Sequence, residues 1–276
     1  MASLGYPQRE ENKTAPSPFT RPGRRSILIP VTQLALLSEP ALSFLPPRFA
    51  AWFRERGWAP HPHQLAMLEA ARDGASALLI APTGGGKTLA GFLPSLVELA
   101  ERPYEGLHTL YISPLKALAV DIHRNLTQPI EEMGLETACE TRTGDTPRSK
   151  RRRQRVRPPG ILMTTPESLA LLLSYYDAPQ VFGNLRCVVI DELHAFAGTK
   201  RGNLLALGLA RLQSLSPGLR RVGLSATVHD PDWLAGWLSP TAEPSGVRRV
   251  IGRDGAEAEV EILTTKERLP WSGHMA

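Results

Sequence analysis

Two clusters of residues in this sequence have the types and spacing to handle phosphate and a divalent cation. The first is Ala81-Pro82-Thr83-Gly84-Gly85-Gly86-Lys87-Thr88. Glycine tolerates positive φ and lets successive backbone N–H groups approach anionic oxygens, which builds a nest for phosphate. Lys87 can then reach the β and γ phosphates, and the Thr88 hydroxyl can join the coordination of Mg²⁺. Thr83, Gly84, Gly85, Gly86, Lys87 and Thr88 are therefore the candidate contacts to a nucleoside triphosphate. Ala81 stands where the general pattern has its first glycine, and the plainer reading is a flexible loop between strand and helix.

The second cluster is Asp191-Glu192-Leu193-His194. Asp191 follows the β-branched run at 186–190, where a parallel strand would emerge at its carboxyl edge, and open α/β sheets bind their ligands at that edge. Its carboxylate can hold Mg²⁺ through water, while Glu192 can polarise the water that attacks a γ phosphate. Asp191 as a helix cap beside a merely solvated Glu192 is the alternative. A lone histidine such as His194 is ordinarily a packed or hydrogen-bonded residue. Its company gives it interest, because Ser225 and Thr227 follow another short strand and their hydroxyls could bond to this cluster, coupling nucleotide state to domain position.

Positioning these groups requires strands whose ends gather at one edge. Strand-like segments lie at 77–81, 108–113, 136–140, 160–164, 186–191 and 221–225. Helical stretches lie between or beside them at 63–72, 88–100, 115–133, 166–173 and 202–215. Such alternation predicts an α/β fold, doubly wound, with a mainly parallel sheet and helices on both faces.

With Ser225-Ala226-Thr227, the two clusters match three nucleotide-side motifs of the superfamily 2 DEXH-box helicases, and the chain resembles the first motor domain of that family. Further matches fall where the family touches nucleic acid: Ser113-Pro114-Leu115-Lys116-Ala117-Leu118, Thr143-Gly144-Asp145-Thr146 and Thr164-Thr165-Pro166-Glu167-Ser168. His63-Gln64 precedes the phosphate loop as the family's adenine-reading glutamine does. The residues around these motifs, and the closing Leu269-Pro270-Trp271-Ser272-Gly273-His274-Met275-Ala276, are similar to the Lhr type and especially to bacterial ligase-associated DEXH-box DNA helicases.

The resemblance implies a RecA-like fold with ATP and Mg²⁺ as cofactors. Lys87, Asp191, Glu192 and His194 would form the catalytic set, Thr88 and Asp191 would hold the metal, and Gln64 would contact the base. Pro114, Lys116, Gly144, Asp145, Thr165 and Pro166 would meet nucleic acid, and Ser225 and Thr227 would couple the two sites. It further implies a cytoplasmic DNA helicase acting in DNA repair on single-stranded or tailed DNA, with RNA as the other candidate and a ligase as a partner. In that family a second motor domain supplies arginines to the phosphate being transferred. Residues 44–246 are thus expected to form the first RecA-like domain, 1–43 a disordered or loose tail, and 247–276 a linker and the start of a second domain. A nucleotide-gated nucleic-acid-binding module with little hydrolysis is the reading from another class.

Composition sets outer limits. A hydrophobic share of 42% suffices for one sizeable core, and no apolar run is long enough to span a membrane. Cys139 and Cys187 fall in strand-like apolar surroundings and read as reduced packing residues rather than a disulfide or metal pair. The net charge of +5 leans towards nucleic acid. Much of the excess sits in the basic run at 148–157, which reads either as a solvated helix face or loop, or as a segment lying along a phosphate backbone. Lys116 at a helix start and Thr165 at a strand end are better single contacts to phosphate. Phe53 and Trp58 have rings that could stack on adenine, but large aromatics near a helix end are expected to pack in the core. The Ser-Ala-Thr triplet, and the lack of a Leu-Ser-Gly-Gly-Gln signature, argue against a transporter ATPase.

Overall fold

Short aliphatic runs such as Cys187-Val188-Val189-Ile190 suit a pleated strand buried on both faces, because β-branched side chains pack well there and the segment is too short for a stable helix. The computed structural model describes residues 41–102, 104–226 and 228–252. Its strands are β1 (Ser76–Ile80), β2 (Thr109–Ile112), β3 (Cys139–Arg142), β4 (Ile161–Thr164), β5 (Cys187–Ile190), β6 (Arg220–Ser225) and β7 (Val247–Ile251). All pair in parallel in a single sheet of order β3-β4-β2-β5-β6-β1-β7.

The helices are α1 (Pro47–Glu55), α2 (Pro62–Arg72), α3 (Lys87–Glu101), α4 (Lys116–Glu132), α5 (Arg148–Val156), α6 (Pro166–Leu173), α7 (Ala178–Phe182), α8 (Lys200–Leu215) and α9 (Pro231–Leu238). Side chains alternate across each strand and so build two cores. Leu79, Tyr111, Met163 and Val189 face one side, packed with Phe49, Met67, Phe92 and Ile122 of α1 to α4. Leu78, Leu110, Leu162 and Val188 face the other, against Leu169, Phe182, Leu205 and Leu234 of α6 to α9. This is a RecA-like doubly wound sheet, covered on both faces as parallel sheets require.

Each expected strand and helix is present, with shifts that have physical causes. The third strand lies at Cys139–Arg142 rather than 136–140, because Cys139 pairs with Ile161 and Arg142 with Thr164, carrying the strand out to the carboxyl edge. The sheet also passes the domain boundary expected at 246. Val247–Ile251 pairs with β1 along its whole length and buries Val247 and Val250. Four helices are additional or newly defined. α1 buries Phe49, Ala50, Trp52 and Phe53; α9 starts at Asp230, whose side chain accepts from the Trp233 N–H. α7 covers the second core, and the basic run becomes α5. Cys139 and Cys187 sit on β3 and β5, separated by two intervening strands. No helix among the described residues is long and apolar enough to cross a membrane. The expectations for 1–40 and 253–276 lie outside the described residues.

Candidate nucleotide and nucleic-acid sites

Among the described residues, the motifs that follow a strand begin at the carboxyl edge of the sheet, and the strand order sorts them, while His63-Gln64 sits on α2 before β1. The phosphate loop follows β1, the acidic cluster follows β5, and Ser225 ends β6, so the nucleotide motifs share three adjacent strands. Pro114 and Lys116 follow β2, Gly144 and Asp145 follow β3, and Thr165 and Pro166 follow β4, which are the three strands at the other side.

In the nucleotide half, Gly86 caps α3 at φ 73° and Gly84 takes φ 81°, both in the left-handed region that glycine adopts without strain. A side chain at Gly86 would also begin 2.9 Å from Gln64 Nε2. Gln64 is buried, accepts from the His61 N–H at 2.9 Å through Oε1, and turns its amide nitrogen towards the Gly86 carbonyl. Lys87 is buried and donates to the Ala81 carbonyl at 2.8 Å, the strand end below the loop. Thr83 and Gly84 are exposed at the crest, while Thr88 is half-buried on the first turn of α3. A cavity of about 700 Å³ opens beside the loop between Trp52, Trp58, Gln64, Gly86 and Thr88. Phe53 packs in the core as expected, but Trp58 does not: it is 48% exposed and lines this cavity, with the Arg56 guanidinium over its ring. It follows the end of α1, beyond the helix face that packs on the sheet, so its periodicity could not bury it.

Asp191 is buried, and its carboxylate accepts from the Tyr111 hydroxyl at 2.5 Å. Burial pushes its pKa up, helped by the neighbouring Glu192 charge, while the Tyr111 hydrogen bond and nearby Lys87 work against the rise. The same burial and the Asp191 charge push the Tyr111 hydroxyl far above its ordinary pKa, so it remains a donor. Glu192 holds φ 45°, a left-handed conformation unusual for a residue with a side chain. His194 Nδ1 shares a 2.8 Å hydrogen bond with the buried Ser225 hydroxyl and lies 3.5 Å from Glu192 Oε2. Ser225 in turn accepts, through its carbonyl, from the N–H of Ala81, so the acidic cluster, β6 and the phosphate loop are tied together. Thr227 lies outside the described residues.

The nucleic-acid half is built differently. Lys116 Nζ lies 3.1 Å from both carboxylate oxygens of Asp145, and a side chain at Gly144 would meet that amine at 3.3 Å. Motifs from β2 and β3 thus converge on one exposed patch. Thr165, the other expected phosphate contact, is 4% exposed, with its hydroxyl turned towards Ser168. Pro166 is buried beside it as the first residue of α6.

Residues 61–233 match the DEAD/DEAH box helicase family. The chain belongs to that family. It is similar to the Lhr helicase of Mycolicibacterium smegmatis, with 46% identity over 71% of this chain and 14% of that protein. It is also similar to the ATP-dependent helicase Lhr-Core protein 2 of Thermococcus barophilus, with 40% identity over 64% of this chain and 22% of that one. Among solved structures, the Mycobacterium smegmatis helicase Lhr bound to ssDNA and AMP-PNP superposes with a TM-score of 0.70 at 41% identity, covering 78% of this chain and 28% of that chain. The chain therefore spans less than a third of each of these three relatives, and its type within the helicases is Lhr-like.

The residues of this helicase domain fit the ATP·Mg²⁺ implied by the family. The loop needs glycine at 86, where a side chain would collide with Gln64 and His61, and the Thr88 hydroxyl and Asp191 carboxylate are the hard oxygen donors Mg²⁺ takes. Tyr111 is the residue that sequence reading missed, and Trp58 is the one it placed in the core rather than beside a base. A hydroxyl-bearing aromatic inside an aliphatic strand, Thr-Leu-Tyr-Ile, is the one signal by which Tyr111 could have been found.

Proposed function

We propose that this chain is the ATP-binding motor domain of an Lhr-type DNA helicase, coupling ATP hydrolysis to movement along DNA when joined to a second motor domain. The observation that carries this reading is the gathering of Lys87, Asp191, Glu192, His194 and Ser225 on three adjacent strands, beside a second set of strands that ends in Lys116 and Asp145. Lys87 swings from the Ala81 carbonyl to the β and γ phosphates, and the amides of Gly84 to Thr88 hold their oxygens. Thr88 and Asp191 would hold Mg²⁺, which neutralises phosphate charge when bound. Tyr111 fixes the orientation of the Asp191 carboxylate, and Glu192 accepts a proton from the attacking water. The His194–Ser225 hydrogen bond relays the state of this site to β6 and the chain beyond it. Pro114, Lys116, Gly144 and Asp145 meet the phosphate backbone, so binding has little sequence preference. The likeness to ligase-associated helicases favours a cytoplasmic role in DNA repair on single-stranded or tailed DNA.

Titration with a fluorescent ATP analogue and Mg²⁺, alongside a Lys87→Ala chain, tests the nucleotide assignment. Saturable binding weakened about tenfold or more on substitution is the expected result; equal affinity in a folded variant would sink it. Anisotropy of labelled single-stranded DNA, with and without a non-hydrolysable ATP analogue, tests the second half in the same preparation.

A further inference from the structure

The edge motifs leave a second concentration of charge unexplained. A cavity of about 580 Å³ lies along α5, lined by Arg142, Arg148, Arg151, Arg152 and Arg155 and closed by Tyr175 and Tyr176, with Asp177 as its one lining carboxylate. Positions 148, 151, 152 and 155 share one face of the helix, since residues three and four apart are neighbours there. The basic run is therefore divided by the fold. Lys150 and Arg153 share Glu140, and Gln154 is buried against it, so that face is partly compensated.

The cavity face is less so. Arg155 is matched by Asp177 and lies 3.9 Å over the Tyr175 ring. Arg151 holds the Thr-Gly-Asp loop, donating to the carbonyls of Thr146 and Gly144. Arg142 is buried beneath and donates to the Arg151 carbonyl. Among the described residues, Arg148 and Arg152 have no acidic partner, and both are exposed. Beside them Tyr176 is 89% exposed, a ring presented to solvent with the Arg155 guanidinium 5.9 Å from its centroid. Arg151 joins this cavity directly to the loop that carries Gly144 and Asp145, so a strand held at Lys116 has a charged path onwards.

We infer that this cavity is a second contact for single-stranded nucleic acid: Arg148 and Arg152 take a backbone phosphate, and Tyr176 stacks an adjacent base. The inference rests on the proposed nucleic-acid function and extends the path beyond its motifs. A duplex would not use Tyr176, because its bases are already stacked, whereas an unpaired base offers its face to an exposed ring. The outward-pointing guanidiniums suit phosphate oxygens, which take paired N–H donors.

The test is anisotropy of labelled oligonucleotides of increasing length on the full chain, comparing wild type with Arg148→Ala/Arg152→Ala, Tyr176→Ala, Tyr176→Phe and Lys116→Ala. Long oligonucleotides should lose on the order of fivefold or more in affinity with Tyr176→Ala, the lower end of base–aromatic stacking, and keep it with Tyr176→Phe. The double arginine variant should lower the salt slope by about one, near the value for one or two single-strand phosphates. Oligonucleotides too short to pass from Lys116 to the cavity should be indifferent to all three. Unchanged long-strand binding in these variants, with Lys116→Ala weakened as expected, overturns the inference and leaves the proposed function standing. Competition by inorganic phosphate without any dependence on strand length also overturns it, making the cavity a small-anion site. Absence of DNA binding by the wild-type chain removes both.

Discussion

The proposed nucleotide half and the proposed nucleic-acid half of this sheet edge use the same architecture to opposite ends. Around β1, β5 and β6 the reactive groups are sunk into the fold: Lys87 is 8% exposed, Asp191 6% and Ser225 not at all. Each is oriented by a partner from a different strand or loop. Around β2 and β3 the equivalent groups stand in solvent, with the Lys116 and Asp145 side chains 55% and 77% exposed. Buried groups fix the geometry that phosphoryl chemistry needs. An exposed ion pair contributes little to stability, which leaves its lysine available to a moving polyanion. One edge thus supplies a rigid site and an adaptable one, six strands wide.

The largest effect expected from breaking this contrast is on chemistry. In a protein carrying both motor domains, Glu192→Gln should retain ATP·Mg²⁺ binding yet lower steady-state hydrolysis by about a hundredfold or more, the scale of a lost general base. Near-normal turnover would show that another group activates the water. Lys87→Ala should come next, weakening nucleotide affinity roughly tenfold or more as a charge-assisted contact is lost. Circular dichroism should report an unchanged fold, because the buried amine serves the loop rather than the core.

On the adaptable side, Lys116→Ala should weaken single-stranded DNA binding only a few-fold and reduce the salt slope by about 0.7, as one phosphate contact leaves. A loss as large as that of Lys87→Ala on nucleotide would erase the distinction between the halves. The smallest effect is expected at the opposite edge of the sheet, away from both. Burial would raise the Glu98 carboxyl, but the hydrogen bond with His108 and the charge of Arg220 outweigh it and hold the pKa below its ordinary value. Such a depressed carboxylate adds stability above its unfolded pKa, about 4.5, and loses it as pH falls through the lower folded value. Thermal unfolding of Glu98→Gln should therefore be flatter than wild type across that acidic window and leave nucleotide binding unchanged; an equally steep loss in both proteins would refute the assignment.

Much of this was legible because the informative features are local in sequence. A glycine-rich loop between an apolar run and a helix, or a carboxylate pair after a β-branched run, carries its chemistry in consecutive residues, and strand ends follow from periodicity. The parts not legible depend on pairings between distant segments. Tyr111 meets Asp191 only because β2 and β5 are neighbours, and the chain gives no local sign of that order. The basic run reads as uniform, yet Arg153 is paired with Glu140, Arg151 is committed to a loop, and Arg152 is left open. Thr165 looks like a free hydroxyl at a strand end until the turn into α6 buries it. The same limit misplaced β3 by two or three residues, since its polar Glu-Thr-Arg residues have no apolar signature and their register is set by β4.

The left-handed backbone at Glu192 has a consequence for anyone selecting sturdier versions of this domain. A side chain at that angle costs roughly 1–2 kcal/mol, and glycine would recover part of this after its own entropic cost of about 0.5–1 kcal/mol. Removing the carboxylate would also relieve the charge that crowds buried Asp191. Glu192→Gly is therefore a change that a screen for thermal tolerance would reward and that a screen for turnover would discard. Libraries sorted on heat resistance alone should drift towards well-folded proteins that hold ATP and never spend it.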